Sequence, residues 1–309
     1  MKMYLRIIML QAIVALVLPV IAMADYNTLV SDDGEVIEPT QLHAEASLES
    51  ILGISFPFKG NENEMTNEGA DITPLTDEEI ETIRALPSLS GESKDKKEVI
   101  IGADSRMQVY TTMYPTRTTA LIGSSAGQCT GWFIGKDTVV TAGHCVHSGG
   151  TGGKWYSNFK IYPGYTGIKA PYGYCSAKKA YSTDGWTSNK NDNYDYGILK
   201  LNCTVGDKVG WFGFQNLSSV ASVPTIINGY PGDKPKTQWV SADRVRSYTS
   251  YRISYKNDTY GGMSGSPVWY EAGSGPYCIG IHTLGSSSIN SGTRINTSVF
   301  NNLKTIKDQ

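Results

Sequence analysis

Across residues 99–309 the chain alternates short runs of Val, Ile, Tyr and Trp with turns of Gly, Asn, Asp and Ser. The runs are Trp132–Val140, Phe159–Tyr162, Tyr196–Leu201, Thr225–Gly229, Val268–Tyr270 and Tyr277–Ile281. β-Branched and aromatic residues suit a pleated, half-buried surface, and the small polar residues supply the turns between strands. No amphipathic helical period appears until Thr297–Lys307, where Val299, Leu303 and Ile306 share one face. Strand–helix alternation is absent, which argues against a parallel α/β sheet. No repeat of fixed period is present. The expectation is an all-β body that ends in a helix.

Two other compositions precede this body. Residues 1–24 carry Lys2 and Arg6, then an apolar run, then Ala22-Met23-Ala24. That order reads as a signal peptide removed before Asp25, so the protein is expected to be secreted, extracellular or periplasmic. No later segment approaches the ~20 apolar residues that span a bilayer. Residues 25–98 hold 18 acids and 5 bases, a net of −13, while residues 99–309 hold 11 acids and 20 bases, a net of +9. The overall charge of −2 gives no case for nucleic acid as a partner. An acidic leader ahead of a basic body is the charge pattern of a pro-segment that docks on its own domain. The leader contains one helix signal: Thr76 and Glu79 make a capping box, Ile80 and Ile83 share a face, and Pro87 stops the helix. Ser88–Lys97 reads as an exposed linker. The chain therefore divides into 1–24, 25–98 and 99–309, and is expected to act as a monomer.

All five cysteines, 129, 145, 175, 203 and 278, lie in the body. In an oxidising compartment they predict two bridges and one leftover thiol. Cys129–Cys145 would tie the two ends of a local strand-turn-strand unit. Cys175–Cys203 is the second pairing, which leaves Cys278 free. Cys145, His144 and His147 lack a fourth ligand at zinc spacing, so neither a metal nor another cofactor is expected.

Three residues at the edges of β runs carry chemistry. His144 ends the run Val139-Val140-Thr141-Ala142-Gly143 and precedes a cysteine. Asp195 opens the alternating strand Tyr196-Gly197-Ile198-Leu199-Lys200-Leu201, where a carboxylate is at least partly buried and requires a partner. Ser264 lies in Gly261-Gly262-Met263-Ser264-Gly265-Ser266-Pro267, whose glycines let backbone N–H groups converge on one spot. Each alone is as readily a turn histidine, a strand-end carboxylate or a Gly/Ser loop. Together they supply a hydroxyl nucleophile, an imidazole base and a carboxylate to orient that base.

The blocks TAGHC, YDYGILKL and GGMSGSPV resemble the three catalytic blocks of chymotrypsin-fold serine proteases. More narrowly they are similar to the secreted V8-like glutamyl endopeptidases. The likeness covers nearly all of 99–309. It implies two packed six-stranded antiparallel β-barrels with a C-terminal helix, and hydrolysis of peptide bonds in proteins or peptides. It also implies that Ser264 attacks, His144 serves as base and then acid, and Asp195 orients His144. The N–H groups of Gly262 and Ser264 would form the oxyanion hole. Digestive proteases carry an Asp before the nucleophile that pairs with the new N-terminus on activation. Met263 stands there in this chain, and the V8-like branch also lacks that Asp.

For a substrate carboxylate the resemblance supplies three partners: His282, Thr259 and the α-amine of Val99, if the leader is cut after Glu98. Composition agrees: residues 99–309 hold ten Asp but one Glu, Glu271, whereas the leader holds twelve Glu. A protease that cuts after Glu survives best with few of them. Asp258, six before Ser264, points instead to cleavage after Lys or Arg. Two rivals remain. A silent binding module would keep the fold without turnover. An α/β-hydrolase using Ser264, Glu271 and His282 needs G-x-S-x-G and a following helix, but Ser266-Pro267 leads into a β run.

Overall fold

The computed structural model describes residues 25–39, 48–61, 69–90 and 99–309. The proposed signal peptide and Glu98 lie outside these residues. The leader contributes β1 (Leu29–Ser31), β2 (Val36–Ile37), α1 (Leu48–Leu52), β3 (Ile54–Ser55) and α2 (Asp77–Ala85). The body begins with β4 (Met107–Gln108), followed by β5 (Thr119–Ser124), β6 (Gly127–Phe133), β7 (Thr138–Thr141), β8 (Lys160–Pro163), β9 (Cys175–Thr183) and β10 (Gly197–Leu201). It continues with β11 (Gly213–Gln215), β12 (Pro224–Gly229), β13 (Trp239–Arg244), β14 (Ser247–Tyr248), β15 (Arg252–Tyr255), β16 (Pro267–Ala272), β17 (Gly275–Gly285) and β18 (Asn290–Arg294). A C-terminal helix, Thr297–Asp308, ends the chain.

β5 to β10 close into a barrel in the order β10-β7-β6-β5-β8-β9, with β9 pairing back to β10. Its interior is filled by residues such as Ile122, Phe133, Val139 and Leu199. The second sheet runs β14-β15-β18-β17-β16-β12-β13-β4 and packs Ile227, Ile253, Met263 and Val268 on its inner face. Two packed six-stranded antiparallel barrels were expected; the first sheet closes on itself and the second forms a half-barrel. Side chains bridge the gap where a ladder would run: Asp258 N–H donates to Ser241 Oγ at 2.9 Å, and Asn257 Nδ2 to the Ser241 carbonyl at 2.8 Å. The C-terminal helix buries Val299, Leu303 and Ile306, together with Phe300, against Phe212, Phe214 and Ile198 between the two sheets. Asn296 caps its start, accepting from Val299 N–H at 3.0 Å.

The leader wraps the body rather than standing apart. In α2 both arms of the Thr76–Glu79 capping box are present, and Ile83 is buried. The strands were not anticipated: β1 extends the first barrel by pairing with β9, and β3 pairs with β11 of the second sheet. The charge contrast is used in places. Lys179 pairs with Asp33 at 2.7 Å and Glu35 at 3.0 Å, and Lys304 with Glu49 at 3.1 Å. Among the described residues no helix is long and apolar enough to cross a membrane.

Candidate active site

β7 ends in a 3₁₀ turn, Gly143–Cys145, which carries His144. Asp195 follows the 3₁₀ turn Asp192–Tyr194 and leads into β10, the partner of β7. Strand pairing thus brings the two side chains together. Asp195 is fully buried; its Oδ1 accepts from the His144 backbone N–H at 2.9 Å, and its Oδ2 lies 2.8 Å from His144 Nδ1. An ionised carboxylate only accepts, so the Nδ1 contact sets the tautomer and the backbone contact sets the position. The Asp195 carbonyl accepts from Thr293 Oγ1 at 2.9 Å, which ties this acid to the second sheet.

Ser264 sits on a turn that glycine makes possible. Gly262 and Gly265 have φ of +98° and +87°. A Cβ on Gly262 would meet the Tyr230 carbonyl at 2.7 Å, and one on Gly265 the Thr130 carbonyl at 2.1 Å. Neither position accepts a side chain. The Ser264 carbonyl accepts from Thr130 N–H at 2.9 Å and lies 3.7 Å from Sγ of Cys145, the neighbour of His144. Gly265 N–H donates to the His282 carbonyl at 2.7 Å. The Ser264 turn is therefore docked between the His144 turn and the strand of His282, in the cleft where the sheets meet. Cys129–Cys145 is bonded and braces the His144 turn; Cys175–Cys203 is bonded; Cys278 is a buried free thiol.

A leader segment occupies this cleft. Gln128 N–H donates to the Pro87 carbonyl at 2.7 Å, and Leu89 N–H to the Gln128 carbonyl at 2.9 Å. Lys236 Nζ holds the Leu86 carbonyl at 2.9 Å. Gly262 N–H, an expected oxyanion donor, donates to the Leu89 carbonyl at 2.8 Å. Ser88 and Leu89, read from the sequence as the start of an exposed linker, are seated on the body. A linker signal reports polarity, and here main-chain bonds to the cleft hold it.

The three residues expected to meet a substrate carboxylate gather beside the Ser264 turn. His282 is fully buried, and its Nδ1 shares a 2.7 Å hydrogen bond with Tyr255 Oη. Burial, with help from the Arg252 and His144 charges, pushes its pKa down to about 3. The ring is therefore neutral at ordinary pH. Thr259 N–H donates to the Val99 carbonyl at 3.2 Å. The Thr259 hydroxyl is buried and has no hydrogen-bond partner among the described residues, an open polar position. Asn290 grips Val99 at both ends: Val99 N–H donates to its Oδ1 at 3.1 Å, and its Nδ2 donates to the Val99 carbonyl at 2.8 Å. Tyr255 and Asn290 escaped the sequence reading because only strand register, β15–β18 and β17–β18, carries them here.

Asp258 takes a different part from the one that predicts Lys or Arg specificity. Its Oδ1 accepts from Ile101 N–H at 2.6 Å, and its Oδ2 from Ser105 N–H at 2.8 Å and Ser105 Oγ at 2.6 Å. With three donors on it, the buried carboxylate anchors the segment after Val99 and does not face a substrate side chain. Asp258→Asn, which puts an amide donor against these donors, is expected to cost roughly 2–4 kcal/mol of stability. It should neither remove nor create cleavage after Lys or Arg. Thermal melts and a digest of a mixed peptide set check both parts; a wild-type melt, or a clear change at basic residues, would contradict this role.

The metal-ligand cluster found among the described residues is Cys129, His144 and Cys145. Its two sulfurs are bonded to each other, and His144 Nδ1 faces Asp195. This set does not fit a metal ion.

Comparison with known proteins agrees with the geometry. The trypsin-like peptidase domain family matches residues 129–281. A protein of Bacillus subtilis named extracellular metalloprotease is 43% identical over 66% of this chain and 68% of its own length. A glutamyl endopeptidase of Bacillus licheniformis is 41% identical over 68% of this chain and 69% of its own length. A solved Glu endopeptidase structure superposes with a TM-score of 0.64 at 27% identity, covering 68% of this chain and 100% of that one. The metal in the first relative's name is said of that relative alone. The chain belongs to the chymotrypsin-fold serine proteases, in their V8-like, glutamyl endopeptidase branch.

Proposed function

We propose that this protein is a secreted serine endopeptidase that cuts after Glu, made as a latent precursor and matured between Glu98 and Val99. The observation that carries the hydrolytic reading is the buried His144–Asp195 pair beside the Ser264 turn. Ser264 Oγ attacks the scissile carbonyl as its proton passes to His144 Nε2, and Asp195 stabilises the imidazolium. The carbonyl oxygen, now negative, takes N–H bonds from Gly262 and Ser264. His144 then gives the proton to the leaving amine, which departs and leaves an acyl-enzyme. Water, deprotonated by His144, releases the acid and restores Ser264.

The Glu preference is supported by what gathers around Val99. A substrate carboxylate leaving water requires donors and positive charge. With Tyr255 donating to Nδ1, neutral His282 carries its proton on Nε2 and donates without charge. Thr259 adds its open hydroxyl. The charge comes from Val99, whose nitrogen becomes an ammonium once the bond to Glu98 is cut. Asn290 Oδ1 already accepts from that nitrogen. Cleavage thus completes the pocket. The leader, residues 25–98, is the chain's own partner until then, and the mature enzyme acts as a monomer on protein and peptide substrates outside the cytoplasm.

Digestion of a peptide library with the mature protein tests the specificity. Cuts concentrated after Glu are expected; cuts concentrated after Lys and Arg would reject it. His282→Gln should lower kcat/KM for a Glu peptide roughly 10²-fold. Labelling of Ser264 by a small fluorophosphonate should stay within a few-fold of wild type. Equal loss of both would take His282 out of the specificity pocket.

A further inference from the structure

β15 and β18 pair antiparallel with Arg252 opposite Thr293 and Ser254 opposite Ser291. Side chains alternate across a strand. Ile253 and Tyr255 are buried on the inner face, where Tyr255 reaches His282. Arg252, Ser254, Ser291 and Thr293 therefore share the opposite face. The Arg252 Nη1 donates to the Asp192 carbonyl at 2.6 Å and to Thr293 Oγ1 at 3.4 Å, and its Nη2 to Ser291 Oγ at 2.8 Å. All three acceptors are neutral oxygens. Among the described residues none forms an ion pair with this guanidinium. A guanidinium has five N–H donors, so these contacts leave capacity at Nε and Nη2.

This cation lines a pocket of about 310 Å³ with Asp192, Asn193, Ser254, Leu284 and Ser291. The pocket borders the catalytic cleft on two sides. Asp192 and Asn193 lead into Asp195, and Leu284 continues the strand that carries His282. A peptide with its P1 side chain against His282 lays its flanking residues within reach of such a pocket.

We propose that Arg252 is the floor of a second acid-accepting subsite, which takes an Asp or Glu side chain flanking the P1 residue. The chemistry is that of a fixed guanidinium fork with hydroxyls beside it, which favours a carboxylate over an amide of the same shape. Two acids act on Arg252 as well, Asp195 and Asp192. Asp195 shares its charge with His144. Asp192 sits at the pocket wall and opposes a second carboxylate there. The preference is for clustered acidic sequence, not for a lone Glu. This inference rests on the peptidase reading but not on the identity of the P1 residue.

The test uses mature protease and quenched peptides built on whichever P1 residue a library digest selects. Each position from P4 to P3′ carries Glu or Gln in turn. At one position Glu should give roughly tenfold higher kcat/KM than Gln, weakening in high salt. Arg252→Gln should abolish that difference, and Arg252→Lys should keep part of it. Asp192→Asn should enlarge it. Fluorophosphonate labelling of Ser264 shows which variants are folded and active; should Arg252→Gln fail it, Arg252→Lys and Asp192→Asn decide. Indifference of the wild type to Glu or Gln at every position would overturn the subsite. So would a preference unchanged in Arg252→Gln, or in both remaining variants. A protein that cuts no peptide and takes no label would instead sink the peptidase reading.

Discussion

Replacing Ser264 by alanine is expected to lower kcat by about 10⁶, and replacing His144 by alanine to lower it by nearly as much. The double variant should be little worse than either single one, because the two residues act as one unit: the hydroxyl is a weak nucleophile without the base, and the base has no proton to take without the hydroxyl. Asp195→Asn should cost about 10⁴, since an amide offers the wrong partner to His144 Nδ1. It also removes the charge that accepts from the His144 backbone N–H, so it carries a stability cost the serine variant lacks. Single-turnover rates on a chromogenic peptide, with melts to confirm folding, separate these effects. Near-normal turnover by a folded Ser264→Ala would assign the nucleophile elsewhere.

The second large effect is latency. The Leu89 carbonyl holds the Gly262 N–H, and the segment from Leu86 to Leu89 is pinned by Gln128 and Lys236. Loss of one oxyanion donor costs roughly 10²–10³ in kcat. A segment seated in the cleft excludes substrate besides. The intact chain should therefore be at least ~10²-fold less active than the form cut after Glu98 and freed of the leader. A Glu98→Gln precursor, which blocks self-cleavage, should stay silent until another protease opens the junction. Full activity from that precursor with residues 25–98 still attached would refute the scheme. The leader's hold is also expected to weaken with salt where it depends on Lys179 and Lys304, because those pairs are partly exposed.

How much of this was legible in the sequence depends on which physical signal each element leaves. Strands with clean apolar alternation, such as Tyr196–Leu201, announce themselves by period, as does the C-terminal helix by Val299, Leu303 and Ile306. The capping box of α2 is visible because both of its residues are local. The leader strands leave no such mark. β1 and β3 are only three and two residues long, and their body partners lie about 150 residues away, in β9 and β11. The seat of Ser88 and Leu89 is written in main-chain bonds, which no side-chain pattern reports. Motif order singles out His144, Asp195 and Ser264 as candidates, but Tyr255, Asn290 and Arg252 are carried beside them by cross-strand register. Asp258 shows the limit of position alone. Its place in the motif matches a specificity acid, while the direction of its side chain turns it to Ile101 and Ser105.

The most direct test is to react the mature protein with a fluorophosphonate and map the adduct by mass spectrometry. One adduct per molecule on Ser264, lost in His144→Ala and strongly reduced in Asp195→Asn, is the expected result. No adduct on the folded mature protein, or one that persists on Ser264 without the imidazole, would contradict a hydroxyl activated by the His144–Asp195 pair.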